Sequence, residues 1–431
     1  MYVTLRDTSS RGAPSPRRGR VAGSVVLLGI VSMLTDISSE AVSAILPLYL
    51  TAVLGLGPIA YGVVDGLNQG VSALVRLLGG WLADRTDHPK RVAALGYGLS
   101  ALSRLALLPA TGLAAITGVV TVDRLGKGLR TAPRDALISA ASDPRDLGRA
   151  FGVHRSLDTL GAVIGPLLAF AVLAAVPGGY SSVFVLSLGF AVVGLAVLLL
   201  LVPDLRPRRA AAAVTGEPPA RTVVSWQLVL DPRLRRLLLV AAVLGVLTIG
   251  DGFLYLALQR RDDFAASLFP LLYVGTSAAY LALALPLGRA ADRFGRGRVL
   301  VLGHLALVGA YVAAAGPARG LAGTLACLVL LGTFYAATDG VLPALAGRLV
   351  DPSVRASGIA TAQTVVALAR SLSSVAFGVL WATAGRGPAL VSVAVLLVCV
   401  LPLAYHLVRR LDDGDRAALE LDEAPRPPGA S

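Results

Sequence analysis

Residues 123–135 read DRLGKGLRTAPRD, six charged side chains in thirteen positions, inside a segment otherwise apolar enough to cross a membrane. Asp123, Lys127, Arg130 and Arg134 are spaced by four, three and four. At about 100° per residue they form one stripe along a helix. Lipid makes such charges expensive, so they persist only where they face protein or a water-filled path. Whether this stretch is a crossing helix or a polar loop decides the topology of the chain.

Apolar runs of about 20 residues, enough to cross ~30 Å of hydrocarbon, surround it. They lie at 21–54, 60–83, 92–112, 149–176 and 183–202, and again at 235–258, 266–291, 298–315, 321–347, 356–383 and 387–408. The stretch in question belongs to a further run at 114–141, whose hydropathy its charges spoil. Parity resolves it. Gly80-Trp-Leu-Ala-Asp84-Arg85 and Gly288-Arg-Ala-Ala-Asp292-Arg293 share Gly-x-x-x-Asp-Arg at an offset of 208 residues, each just after an apolar run. Equivalent loops of two repeated halves lie on one side of the membrane, which requires an even number of crossings between them. Six result if 114–141 crosses and five if it does not.

The cations agree with twelve crossings and both termini cytoplasmic. In that topology the tails, linker and cytoplasmic loops, together with the span ends that adjoin them, hold 27 of the 39 Lys and Arg, the external loops hold four, and eight lie deeper within spans, as the positive-inside rule requires. Eight acids also fall within spans, the balance that burial demands. The expected organisation is an all-α membrane protein. It has a cytoplasmic tail at 1–20, a six-helix bundle at 21–202, a flexible Pro-, Ala- and Arg-rich cytoplasmic linker at 203–234, a second bundle at 235–408 and a tail at 409–431. The apolar run from Val21 is far longer than a signal-peptide core, so no cleaved leader is expected.

Composition excludes other classes. With 55% hydrophobic and 15% charged residues and a mean hydropathy of +0.73, the chain is not a soluble globular protein. Its net charge of +13 is split into short runs between apolar segments instead of one basic face, so nucleic acid is not an expected partner. Cys327 and Cys399 both sit in apolar runs, which suits neither a disulfide framework nor a thiolate metal site. No phosphate-binding Gly-x-x-x-x-Gly-Lys-Ser/Thr loop, Gly-x-Ser-x-Gly or His-Glu-x-x-His occurs. Direct ATP use, hydrolase chemistry and a bound cofactor are therefore not expected.

These features together resemble the major facilitator superfamily over about 21–408. The second loop, Gly288-x-x-x-Asp292-Arg293-x-Gly295-Arg296, matches that superfamily's loop motif. The first departs from it, with Asp87 where the motif has Gly and His88-Pro89 interrupting the basic run. Arg124-x-x-x-Gly128-x-x-x-Ala132 resembles the fourth-helix Arg motif. Gly152-x8-Gly161-x3-Gly165-Pro166 resembles the fifth-helix motif associated with antiporters, with Ala169 in place of its closing Gly. The strings DRLGKGLRTAPRDAL and GRAFGVHRSLDTLGAVIGP further resemble a bacterial subgroup described as facilitator-type transporters, some linked to metal resistance or efflux. The resemblance implies a multi-pass protein of the inner (plasma) membrane that works as a monomer.

Residue by residue, Asp36 and Glu40 are four apart and share a helix face, an arrangement suited to taking up and releasing a proton. Asp65, beside Asn68 and Gln69, and Asp123 complete the proton-coupling candidates. Arg124, Lys127, Asp251, Asp339 and Arg370 are the candidates for the substrate cavity, with Tyr49, Tyr255, Tyr273 and Tyr335 read either as its aromatic walls or as ordinary packing and interfacial residues. For the fourth-span charges two readings stand: a path for cargo or protons, and an ion-pair network that holds helices together. Gly80, Asp84, Arg85, Gly288, Asp292 and Arg293 read either as a cytoplasmic gate or as a positive-inside anchor. Gly152, Gly161 and Gly165 allow another backbone to approach, and Pro166 favours a kink.

The function expected is secondary active transport by alternating access, as proton-coupled efflux of a small molecule or ion, with protons and membrane lipids as the other partners. Uptake of an anionic solute is the alternative, and an intramembrane enzyme or a sensor the reading from another class. A metal site is not expected, because His, Cys and Met do not cluster. The lining of the central cavity discriminates cargo: a ring of Asp36, Glu40, Asp65 and Asp251 favours cations, a ring of arginines favours anions.

Overall fold

The computed structural model describes residues 22–143, 146–205, 231–316, 319–351 and 354–423. At Leu77, Gly80, Asp84, Ala356 and 410–423 it describes the backbone alone. The expected tail at 1–20 and most of the expected linker therefore lie outside the described residues.

The described chain is helical, with no strand. In the first half run α1 (Gly23–Leu48, prolonged by a π-helical turn at Tyr49–Val53), α2 (Pro58–Thr86), α3 (Pro89–Leu107), α4 (Gly112–Ala140), α5 (Leu147–Ala175) and α6 (Tyr180–Leu201). The second half holds α7 (Pro232–Val246), α8 (Asp251–Asp262), α9 (Phe269–Phe294), α10 (Arg296–Ala315), α11 (Leu321–Thr338), α12 (Val341–Arg348), α13 (Arg355–Ala384) and α14 (Arg386–Glu423). Joined through short breaks, α7 with α8 and α11 with α12 each make one long rod.

Among the described residues nine such helices or rods are long and apolar enough to cross a membrane, which makes this a multi-pass membrane protein. Leu200, Leu285, Leu321 and Leu403 are among the many large apolar side chains that point outward, as a lipid-facing surface requires. The helices outside that group are α2, α3 and α4, of 29, 19 and 29 residues. They pack inside the first half, α4 against both α2 and α3, and α3 against α6. The quoted stretch is thus a helix buried in a bundle and not a loop.

Local chemistry sets several ends. Pro58, Pro89 and Pro232 open α2, α3 and α7, where a missing N–H costs nothing. Asp231 caps α7 by accepting from Arg233 N at 2.8 Å and Leu234 N at 3.0 Å. Both repeated loops leave their helix through a positive-φ residue, in different conformations: Asp87 closes α2 at φ 53°, ψ 28°, and Gly295, 208 residues on, closes α9 at φ 105°, ψ 131°. The departure from Gly in the first loop thus retains a left-handed residue, a conformation Asp tolerates better than most. The segment expected as a cytoplasmic tail from 409 is helical as far as Glu423.

Within the first half α1 packs on α5 and α6; within the second, α11 packs on α9 and α10, and α13 on α7. The halves meet mainly along α2 against α13, and again along α5 against α9. The face bearing Gly23, the α2–α3 turn and the α9–α10 turn is here called the terminal face. On the side away from it the α2–α13 seam is closed backbone to backbone. A Cβ on Gly66 would lie 2.8 Å from Ser371 O, and Gly62 abuts Ser374 O. Phe253, Phe377 and Trp381 stack beneath that seal.

Candidate functional site

The fourth-helix stripe is paired throughout. Asp123, 2% exposed, accepts from Arg104 of α3 at 2.8 Å and from Arg124 at 2.6 Å. The cations of α4 reach other helices: Lys127 lies 3.7 Å from Glu40 and Arg130 3.8 Å from Asp36, both on α1. Arg134 pairs with Asp135 at 3.0 Å and with Asp158 of α5 at 3.7 Å. The Arg130 guanidinium also sits over the Tyr97 ring, 4.7 Å from its centre. Ser32 joins the cluster to His154, oxygen to ring nitrogen at 3.0 Å. This network binds α1, α3, α4 and α5, and none of Asp36, Glu40, Asp123, Arg124 and Lys127 lines either of the two cavities described next.

The larger cavity, about 380 Å³, lies between the halves and is walled by α2, α5, α7, α10, α11 and α13. Its charged lining is Arg76, Arg155 and Arg370 against the one acid Asp339, with His304 beside them. His304 is tied down through Nδ1 to Leu300 O at 2.8 Å. Arg370 stands apart from the α4 cations. No ion pair among the described residues includes it, and its Nε is buried without a hydrogen-bond partner. Its guanidinium rests on ring faces, 5.7 Å from the centre of Phe334 and 5.5 Å from that of Tyr335.

A second cavity of about 230 Å³ adjoins it and shares Asp339. Asp251, Tyr255, Tyr273, Tyr280 and Tyr335 line it, and Tyr335 donates to Asp251 at 2.5 Å. Asp251 is carried here by the break between α7 and α8. Tyr311 mends that break, accepting from Ile249 N at 2.7 Å and donating to Leu247 O at 3.0 Å, so the opened backbone is not left unsatisfied in a water-poor interior. Gly250 and Gly252 let Asp65 and Tyr61 of α2 come against it, where any Cβ would collide with their side chains. Asp65 itself accepts from Ser374 of α13 at 2.5 Å and so links the two halves.

Of the substrate-cavity candidates, then, Asp251, Asp339 and Arg370 come together, and Arg124 and Lys127 stand apart in the first-half network. Sequence reasoning missed Tyr311, Ser374, Tyr61 and Tyr280. Their value lies in partners from distant segments, and no local spacing marks it.

At the terminal face Asp292 pairs with Arg296 of its own loop at 2.7 Å. Arg85 and Arg293 lie over Trp81 and Phe294 of their own helices, at 5.1 Å and 5.3 Å. Gly80 and the Asp84 side chain lie outside what is described, and Gly288 has open space around it. In the fifth helix Gly161 abuts Met33 O of α1, and a Cβ on Gly165 would lie 2.9 Å from Ile37 O and Ala41 N. Pro166 is buried next to that seam within α5. Gly152 departs from expectation: it is exposed near the start of α5 and nothing lies within 4 Å of where its Cβ would be.

Known proteins share both the sequence and the fold. The family model described as Major Facilitator Superfamily matches residues 28–274 and 260–430. An uncharacterised MFS-type transporter of Methanocaldococcus jannaschii is 30% identical over 83% of this chain and 88% of its own length. An uncharacterised protein of Mycobacterium tuberculosis is 29% identical over 88% of this chain and 90% of its own. Among solved structures, the nucleoside transporter NupG superposes with a TM-score of 0.74 at 16% identity, over 90% of this chain and 99% of its own. A buried charge network, two halves meeting around a central cavity and these matches converge: the chain belongs to the major facilitator superfamily, and it is a transporter and not an enzyme.

Proposed function

We propose that this is a twelve-span secondary active transporter of the plasma membrane, terminal face to the cytoplasm, which binds a small solute through an anionic group on Arg370. The observation that carries the cargo class is Arg370 itself. A guanidinium held in a cavity without a carboxylate partner is a ready site for a carboxylate or phosphate, which it can grip with two parallel hydrogen bonds. Arg76 and Arg155 in the same lining add positive charge, against the one acid Asp339.

With α2 and α13 sealed away from the terminal face, the arrangement corresponds to an inward-open state. Rocking the halves would open that seal and close the other side. Asp65 suits a coupling role, since its Ser374 partner belongs to the opposite half and is lost when the seam parts. Asp36 and Glu40 remain coupling candidates through their pairs with Arg130 and Lys127. Export in exchange for protons is the direction favoured by the antiporter-like Gly161, Gly165 and Pro166.

Liposomes containing the full chain, with an imposed pH gradient, test this reading. Anionic solutes should drive proton flux that Arg370→Gln abolishes. Undiminished solute-dependent flux in R370Q would remove the site, and flux unaltered in Asp65→Asn, Asp36→Asn and Glu40→Gln would remove the coupling assignment.

A further inference from the structure

We propose that the tyrosine-walled chamber beside Arg370 holds the ammonium group of an amphoteric cargo whose anionic group Arg370 binds at the same time. This deepens the reading above and rests on Arg370 as the anion site. The chamber, about 230 Å³, is lined by Tyr255, Tyr273, Tyr280 and Tyr335, by Thr276 and Ser277, and by the carboxylates of Asp251 and Asp339. Every charged group on its wall is an acid, so an anion is repelled and a cation attracted.

The aromatic content narrows the cation. Tyr255 and Tyr273 stand edge to face at 4.6 Å. Two of the hydroxyls are committed, Tyr255 donating to Thr276 at 2.7 Å and Tyr335 to Asp251 at 2.5 Å. Four of the eight lining residues are tyrosines, and aromatic rings are the side chains that recognise organic ammonium groups. A hard metal ion would need six or so oxygen ligands, and no cluster of three or more His, Cys, Asp or Glu occurs among the described residues. A proton would need no aromatic walls.

Position joins the two sites. Asp339 lines both cavities, and the Arg370 guanidinium lies 5.5 Å from the centre of the Tyr335 ring that walls the chamber. Arg370, unlike Arg104 and Arg124 with their pairs to Asp123, has no carboxylate at ion-pair distance among the described residues, which leaves its guanidinium for the anionic end. One small molecule with a cationic and an anionic end satisfies both cavities.

Thermal-shift titrations of the full chain in detergent test this with tetramethylammonium, acetate and trimethylglycine, sodium chloride serving as the ionic-strength control. Tetramethylammonium should bind saturably, at least tenfold more weakly in Asp251→Asn and Tyr273→Leu, while acetate binding is kept in both. Arg370→Gln should reverse the pattern. Trimethylglycine should bind more tightly than either fragment and lose at least tenfold in all three variants. Unliganded melting curves establish that each variant folds, and Y273L carries the test should D251N fail to. No saturable tetramethylammonium binding, or binding unchanged in D251N and Y273L, overturns the proposal. Acetate binding that survives in R370Q overturns the anion site instead, and with it the amphoteric cargo, while the tetramethylammonium result still reports on the chamber.

Discussion

Asp123 and Arg370 are both charges inside a membrane protein, and they are held in opposite ways. Asp123 sits between Arg104 and Arg124 at 2.8 Å and 2.6 Å, so its removal leaves two cations in a dry interior. Breaking a buried pair on one side costs about 3–5 kcal/mol; Asp123→Asn should accordingly lower the melting temperature and yield of the purified protein steeply. Arg370→Gln removes a group that has no ion-pair partner, so its melting temperature should stay level or rise while solute-driven flux disappears. If the two variants instead behave alike in stability, Arg370 has a partner that the inward-open arrangement does not show. The stripe of α4 was legible because helical periodicity alone aligns Asp123, Lys127, Arg130 and Arg134. Its partners were not, because Arg104, Asp36 and Glu40 arrive from other helices and sequence spacing carries no interhelical distance. Hence the stripe supported two readings until packing distinguished its paired cations from the unpaired one on α13.

At the scale of the element, two seams and one break position everything else. The α1–α5 seam depends on Gly161 and Gly165, whose Cα positions lie against the α1 backbone. Gly165→Val must push the helices apart, at about 1–3 kcal/mol or more for an overpacked contact, and should reduce both melting temperature and transport. Gly152→Ala meets open space and should be neutral or stabilising by up to ~1 kcal/mol through helix propensity. A comparable loss in both variants would show that glycine content, not close approach, matters in α5. Tyr311→Phe removes the one hydroxyl that serves both sides of the α7–α8 break. It should cost about 1–3 kcal/mol for each backbone group left unsatisfied, and loosen Asp251, read as weaker binding of tetramethylammonium. The helices were legible from apolar run length, nine helices or rods among the described residues being long and apolar enough to cross a membrane, and α4 from the periodicity of its charges. The break was foreshadowed only by Gly250 and Gly252 around Asp251, since its repair depends on a tyrosine some sixty residues away.

At the scale of the molecule, the decisive feature is that the halves touch tightly along the α2–α13 seam, on the side of the central cavities away from the terminal face. The tight side is a glycine and serine seam: Gly62 and Gly66 against α13, and Gly378 against the first turn of α2, where its Cβ would lie 3.3 Å from the Ile59 Cα. At these glycines the backbones meet directly, Ser374 donates to Asp65 at 2.5 Å and Ser371 to Gly66 O at 2.6 Å, and Tyr61 of α2 packs with Phe253, Phe377 and Trp381 in one apolar cluster. Opening the seam must break all of these together. If the halves rock, a covalent tie across the seam must stop transport while leaving the terminal face open. Ile59→Cys with Gly378→Cys, in a Cys399→Ser background that removes the exposed native thiol, provides that tie. Oxidised protein in liposomes should lose solute-driven flux and reduction should restore it, while trimethylglycine still binds the oxidised form, because the cavities lie toward the open face. Full flux through the oxidised and verified cross-link would mean that the α2–α13 seam does not part during transport, and the rocking of the two halves would have to be abandoned for a motion confined to one of them.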